Sequence, residues 1–266
     1  MNAPAARAGS AGPSRIAESV AADLRQRILR NSLVDGPLPK QEDLMEQYGV
    51  SGPSLREALR ILEAEGLITV RRGKLGGAHV HRPSWSSAAY ALGLSMQGQD
   101  ITLRDLAGAL ITLEPMCALS CASRRDRRST VVPALRENLE QTRLVIGNGP
   151  AFTHVSRTFH HILVDFTANQ TLRLMVRSLV AVWSIQEEAW ADNVQLTDEY
   201  PAESQQRAVL KAHESMTRQI ADGDGAALDA LAVKHLHATQ ELVLERFGDR
   251  IVDASSAAAV RGFRRL

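Results

Sequence analysis

Only two cysteines, Cys117 and Cys121, occur in the 266 residues of this chain. They stand one helical turn apart and form no Cys-x-x-Cys pattern. The expectation is a pair of buried free thiols in a reducing cytoplasm, with no disulfide framework. No apolar run approaches the roughly 20 residues that span a bilayer, so no membrane partner is expected. Residues 1–14 are rich in Ala, Gly, Pro and Ser and lack an apolar core, so they read as a disordered tail and not a signal peptide. There is no His-Glu-x-x-His helix and no defensible Ser-His-Asp order, and the glycines between Gly73 and Gly77 lack the P-loop spacing. No internal repeat is visible. Net charge is close to nil, at +1. These gaps remove secreted scaffolds, membrane spans and the commonest hydrolase and nucleotide motifs.

What charge there is lies unevenly. Residues 1–82 hold twelve Lys and Arg against nine Asp and Glu; the remainder holds nineteen against twenty-one. A basic lobe joined to a slightly acidic body fits a DNA-binding head with a separate sensor. The length allows about two domains.

The stretch from Leu38 to Val80 is the most legible. Gln41 to Tyr48 reads as a short helix with Leu44 and Tyr48 on one face, stopped by Gly49. Ser51 stands where an N-cap belongs and Pro53 falls in the next first turn. Leu55, Ala58, Leu59 and Leu62 then form an apolar helical stripe, which Gly66 ends. Leu67–Val70 and Ala78–Val80 read as two strands around a glycine-rich turn carrying Arg71, Arg72 and Lys74. A helix pair followed at once by a basic hairpin is a winged helix-turn-helix, a device for placing one helix in the major groove of DNA. The other reading of the same pattern is a plain packing unit with a solvated basic loop. A preceding amphipathic helix is marked by Ile16, Val20, Leu24 and Ile28, and residues 35–39 read as the loop after it.

Arg82-Pro83-Ser84 marks a boundary. Beyond it the pattern is helical over about 84–97, 102–125, 130–147, 150–168, 170–191, 203–222 and 224–247, with boundaries good to ~2–4 residues. The expected architecture is mainly α: a winged helix-turn-helix over 15–82 and an antiparallel bundle of about seven helices over 83–248, large enough to enclose a pocket. Residues 249–266 read as a frayed C-terminal tail. Six of the eight histidines lie after residue 150. His160, His213 and His235 fall on three different predicted helices, and neutral imidazole is the commonest ligand for zinc and similar metals. His154, His161 and His237 read as surface residues.

Together these residues resemble the GntR superfamily of bacterial transcription regulators, in the FadR-like branch with an FCD effector domain. In the head the resemblance rests on Leu38-Pro39, Leu44, Gly49-Val50-Ser51, the run from Leu55 to Leu59, Leu62, Glu65-Gly66-Leu67-Ile68 and Arg71-Arg72-Gly73. In the body it rests on Leu113-Glu114-Pro115, Phe159-His160, Asn169, and the separation of His213 from His235. It spans about residues 15 to 247. The resemblance implies a cytoplasmic, nucleoid-associated homodimer that binds a palindromic double-stranded DNA operator, acts as a repressor, and releases or tightens on a small organic acid. It also implies a divalent metal, zinc with nickel or manganese as alternatives, on His160, His213 and His235. DNA contacts are expected from Lys40, Gln41, Ser51, Ser54, Arg56, Arg72 and Lys74. Trp183, Arg173 and Arg177, with Trp190 on the same helix, are expected to border the effector.

The chain departs from the family pattern in four places. Glu42 and Gly52 stand where relatives carry DNA-contacting arginines. An acid at 42 repels phosphate unless it accepts from a cytosine amino group, so a different operator is expected. Ser156 stands where metal-binding relatives have an aspartate, and Leu110 where they tend to have an arginine. Three imidazoles still suffice to hold a divalent ion with open positions. Two further readings stand beside the favoured one: a regulator without metal that senses an acyl-CoA-type ligand, and a metal-dependent enzyme whose head is an interaction module. The second lacks a carboxylate placed as general base.

Overall fold

A computed structural model of the chain describes residues 13–30, 33, 36–71, 77–81, 83–197 and 199–265. The expectations for residues 1–12, and for Arg72 and Lys74 at the wing tip, lie outside the described residues. The chain divides into two compact units, Met1–Ser84 and Trp85–Leu266.

The first unit holds helices α1 (Pro13–Leu29), α2 (Gln41–Tyr48) and α3 (Gly52–Ala64), with strands β1 (Gly36–Pro37), β2 (Ile68–Arg71) and β3 (Gly77–Val80). Helix α2 ends because Gly49 takes φ +61°, a left-handed conformation that costs glycine nothing. Its N–H donates back to Glu46, and that of Val50 to Met45. The chain can then re-enter a helix within three residues. Ser51 caps α3 by accepting from the Ser54 N–H, and Pro53 falls in the first turn. The buried stripe of α3, Leu55, Ala58, Leu59 and Leu62, closes on Val20, Leu24 and Ile28 of α1 and on Ile68 and Val80 of the sheet. The sheet runs β1-β3-β2, antiparallel throughout, with Ile68 opposite Val80 and Arg71 opposite Gly77. Strand β1 corrects the loop expected over 35–39: Gly36 and Pro37 pair with β3, and the Leu38 N–H donates to the Ala78 carbonyl at 2.7 Å. Proline fits there because an edge position leaves its missing donor unneeded.

The second unit is helical: α4 (Trp85–Gly98), α5 (Leu103–Ser123), α6 (Val131–Leu144), α7 (Gly149–Asp165), α8 (Gln170–Leu196), α9 (Glu203–Asp222), α10 (Gly225–Phe247) and α11 (Ala257–Arg265). The side chains of Thr102, Asn148, Asn169 and Asp224 cap α5, α7, α8 and α10, and so set where each can start. Helix α5 is long and apolar enough to cross a bilayer by length and composition, at mean hydropathy 1.4. That corrects the reading that no such stretch exists. Half of it is buried within the protein, with Leu103, Leu106, Leu110 and Cys117 in the core, which makes it a core helix.

The frayed tail expected over 249–266 is also corrected. Val252, Ala254, Ala259 and Phe263 are buried. Ala259 and Phe263 lie four apart on one face of α11, while Arg261, Arg264 and Arg265 are exposed. The approach to α11 is tied down by Gln186, whose amide donates to the Asp253 carbonyl at 2.7 Å and accepts from the Asp253 N–H at 3.1 Å. Phe263 meets Tyr90 of α4 edge-on at 5.3 Å. A Cβ on Gly93 would come within 3.0 Å of the Phe263 ring and 3.1 Å of Ala254 Cβ. Gly93→Ala is therefore expected to overpack this seam and cost about 1–3 kcal/mol in denaturant unfolding. A neutral result would mean α11 does not hold this position in solution.

Candidate functional site

Three helices bring three buried imidazoles together: His160 from α7, His213 from α9 and His235 from α10. The Nε2 atoms of His213 and His235 are 2.9 Å apart, and those of His235 and His160 are 3.3 Å apart. The His213 ring lies flat on Phe159, with centroids 4.0 Å apart and 3° between planes, which fixes its edge toward the other two. On the far side of His160, Nδ1 is 2.6 Å from Oε2 of Glu114 on α5. An ionised carboxylate only accepts, so His160 Nδ1 donates, and its Nε2 faces the cluster.

Glu114 stays ionised although it is buried. Burial pushes its carboxyl up, but the charges of Arg157 and His160 and their hydrogen bonds together outweigh that and hold it at about 2. Arg157, itself buried on α7, donates to Glu114 at 3.1 Å, pairs with Glu187 of α8 at 3.5 Å and reaches the Ser184 hydroxyl at 3.3 Å. One guanidinium thus stands between two carboxylates. Burial raises the Glu187 carboxyl, with Arg157 opposing. Burial also lowers His235 to about 3 and His213 well below its ordinary value, and the neighbouring His160 adds to both. Both rings are held neutral, the ligating form.

This donor set fits a divalent metal. Two imidazole nitrogens on one ion, at metal–nitrogen distances of ~2.0–2.1 Å and angles of about 90–110°, lie about 2.9–3.4 Å apart, the range of both measured pairs. The Nδ1 of His213 is buried without a partner among the described residues, and Nε2 is the nitrogen turned toward its companions. The Glu114–His160 pair has the form of the carboxylate–histidine–metal arrangement that raises ligand basicity. Ser156, one turn before His160, is buried and supplies a hydroxyl where an aspartate would bring charge.

The cluster opens into a cavity of about 60 Å³ lined by Ser156, Arg157, His160, His235, Trp190 and Tyr200, among others. Trp190, one of the residues expected near an effector, lines this cavity. The other three effector candidates are corrected. Trp183 is fully buried in the core and reaches the site only by donating Nε1–H to Glu187 at 3.1 Å. Arg173 donates to the Asp165 carbonyl, and Arg177 pairs with the Asp165 carboxylate and lies 4.1 Å over the Trp85 ring. From Arg177 to Glu187 is ten residues, ~15 Å along a helix, so neither arginine reaches the cavity wall. Sequence reasoning missed Arg157, Glu187 and Tyr200. Arg157 was findable, since it lies three residues before His160 and so on its face. His161 is half-buried and not at the surface, with Nε2 3.3 Å from the Ser184 hydroxyl, and burial lowers it to about 3. His154 and His237 are exposed.

In the head, Gln41 of α2 and Arg56 and Arg60 of α3 line one surface groove with Val70 of β2. Lys40, Gln41, Ser51 and Arg56 are exposed. Ser54 is corrected: it is buried, with its hydroxyl 3.1 Å from that of Ser51, so it belongs to the helix cap. Arg60 pairs with Glu57, whereas Arg56 makes no ion pair among the described residues. Its guanidinium lies over Gly52, 3.2 Å from where a Cβ would stand.

Comparison with known proteins agrees with this geometry. Residues 16–78 match the family described as bacterial regulatory proteins, gntR family, and residues 105–238, half of the chain, match the FCD domain. The HTH-type transcriptional repressor NanR of Cronobacter sakazakii is 39% identical over 71 residues, 26% of each protein. NanR of Escherichia coli is 28% identical over 162 residues, 58% of this chain and 59% of the relative. The chain thus spans about a quarter and three-fifths of these relatives' lengths. The solved Streptococcus agalactiae GntR structure superposes with a TM-score of 0.63 at 18% identity, covering 85% of this chain and 99% of that one, a likeness of fold. These are regulatory proteins, not enzymes, and the chain belongs to the gntR family of bacterial regulators that carry an FCD domain.

Proposed function

We propose that the chain is a cytoplasmic, ligand-responsive transcription repressor. It binds a near-palindromic operator as a homodimer and takes a small organic acid in the cavity of its helical unit. Zinc, or another divalent ion, sits on His160, His213 and His235. The observation that carries the effector half is the meeting of three imidazole edges, one oriented by Glu114, beside a cavity that His160 and His235 line. A bound ion would supply a positive anchor for an acid's oxygens. Glu114 orients His160, Arg157 holds Glu114 and Glu187 in place, and Trp190 and Tyr200 supply aromatic wall to the cavity. An acid that binds one dimer geometry better than another shifts head spacing by that difference in affinity.

The DNA half rests on the exposed start of α3 beside Gln41, with Lys40, Arg72 and Lys74 as the remaining candidates. The test is fluorescence anisotropy on DNA from upstream of the chain's own coding region. Arg56→Ala is expected to weaken binding to the specific site by about 1–3 kcal/mol and to leave random DNA nearly unaffected. Equal loss on both would make Arg56 a phosphate clamp. No binding to any segment at low salt would sink the proposal.

A further inference from the structure

Two hollows meet at His235. The inner one is the chamber of about 60 Å³ beside the histidines. The outer one is a mainly apolar groove of about 310 Å³ between α9 and α10, lined by Ala208, Val209, Ala212, Leu231, Ala238 and Leu242, with Gln205, Lys234 and Thr239 as its polar members beside His235. Val209, His235, Thr239 and Leu242 line both, so the two share a wall and are continuous at the imidazole. Three alanines facing one another leave the groove unfilled.

Size and charge together restrict what fits. An apolar cavity of roughly 150 Å³ holds a benzene ring. The chamber is less than half that, so it accepts a carboxylate head and little more. The groove exceeds it twofold and accepts a ring or a short chain. Within the chamber the one guanidinium, Arg157, is already shared between Glu114 and Glu187, so it offers nothing to a second or third acidic group. A second or third acidic group inside the chamber would be buried without a free cation, since the groove's cation, Lys234, is exposed, and a polyol would meet only Gln205, Lys234, His235 and Thr239 in a groove otherwise lined by Ala, Val and Leu.

We propose that the effector is an amphiphilic monocarboxylate, with its single carboxylate at the histidines and its apolar body along the groove between α9 and α10. This rests on the acid-sensing reading above and narrows it to a chemical class. It also sets the route of entry: the ligand arrives through the groove and passes His235 head first.

The test is isothermal titration of the zinc-loaded full chain with acetate, hexanoate, phenylacetate, citrate and gluconate. Hexanoate and phenylacetate are expected to bind roughly tenfold or more tighter than acetate, because the added carbons leave water. Ala208→Trp and Ala238→Trp each fill the groove from an exposed position. Both are expected to collapse the hexanoate-to-acetate affinity ratio toward one, with thermal melts and zinc content verifying the fold. Tighter binding of citrate or gluconate than of hexanoate and phenylacetate overturns the amphiphile assignment and leaves acid sensing standing. An unchanged ratio in both tryptophan variants overturns it as well. Failure of every acid to bind the zinc-loaded chain overturns this inference together with the reading beneath it.

Discussion

Replacing Glu114 with alanine is expected to destabilise the helical unit by about 3–5 kcal/mol, read as a lower denaturant midpoint at constant slope. The carboxylate is 4% exposed and answers two buried groups at once, Arg157 at 3.1 Å and His160 at 2.6 Å. Removing it leaves a guanidinium in the core facing only Glu187. The same change frees the His160 ring, since the donor site on Nδ1 no longer has an acceptor, and metal affinity should fall by about 10–100-fold. Glu114→Gln separates the two effects. It can still accept from His160 but no longer neutralises Arg157, so it should retain more metal affinity than stability. A loss below about 1 kcal/mol for the alanine variant would show that the junction of α5, α7 and α8 tolerates Arg157 without Glu114, against the account given for this site. Because the folded carboxyl sits at about 2, below its ordinary 4.5, its contribution is complete above 4.5 and is lost as pH falls toward 2.

A second large effect appears at milder acidity once metal is removed. His235 and His161 are held at about 3 and His213 well below 6.5, all mainly by burial. The unfolded chain takes up protons on these rings near 6.5 while the folded chain does not. Their contribution is therefore complete above 6.5 and declines as pH falls through the window down to about 3. Each ring can account for up to ~1.4 kcal/mol per pH unit, so three together approach roughly 4. With a total stability of about 5–15 kcal/mol, chelated protein should melt far more readily at pH 5 than at pH 7. Zinc at about a hundred times its Kd restores ~2.7 kcal/mol near neutral pH, and progressively less as protons compete for the imidazoles. The comparison is melting temperature against pH, with chelator and with zinc, for the natural chain and for a His213→Gln, His235→Gln variant. An identical pH slope in the variant would refute the assignment. Elemental analysis of untagged protein should find about one divalent ion per chain, and its absence, with no thermal shift on adding zinc, would remove the metal from the account.

Much of the fold is legible in the residues, for local reasons. Gly49 and Gly223 take positive φ at helix ends, and Thr102, Asn148, Asn169 and Asp224 cap α5, α7, α8 and α10, so these four helices announce where they begin. Helix α11 does not. Its Ala-rich, Arg-rich sequence carries one aromatic, and only the seam against Gly93 and Ile185 gives that residue a place. The histidines were visible as three rings on three helices, and their separation resembled that of a metal site. What surrounds them was not. Glu114, Arg157 and Glu187 come from α5, α7 and α8, at separations that no periodicity encodes. Arg173 and Arg177 looked equally suitable for an acid from composition alone, and their pairing with Asp165 and their distance from the cavity remove them.

The seam between α4 and α11 also has a consequence in time. Helix α4 leaves the ribosome about 170 residues before Phe263, the ring that covers Gly93 and meets Tyr90. The head has all of its own core by residue 80 and can fold during synthesis. The first helix of the sensor cannot be sealed until much later. During that interval a finished reader hangs on an unfinished sensor with its α4 surface uncovered, so a ribosome stalled before Phe263 would present a DNA-binding head without a sealed sensor.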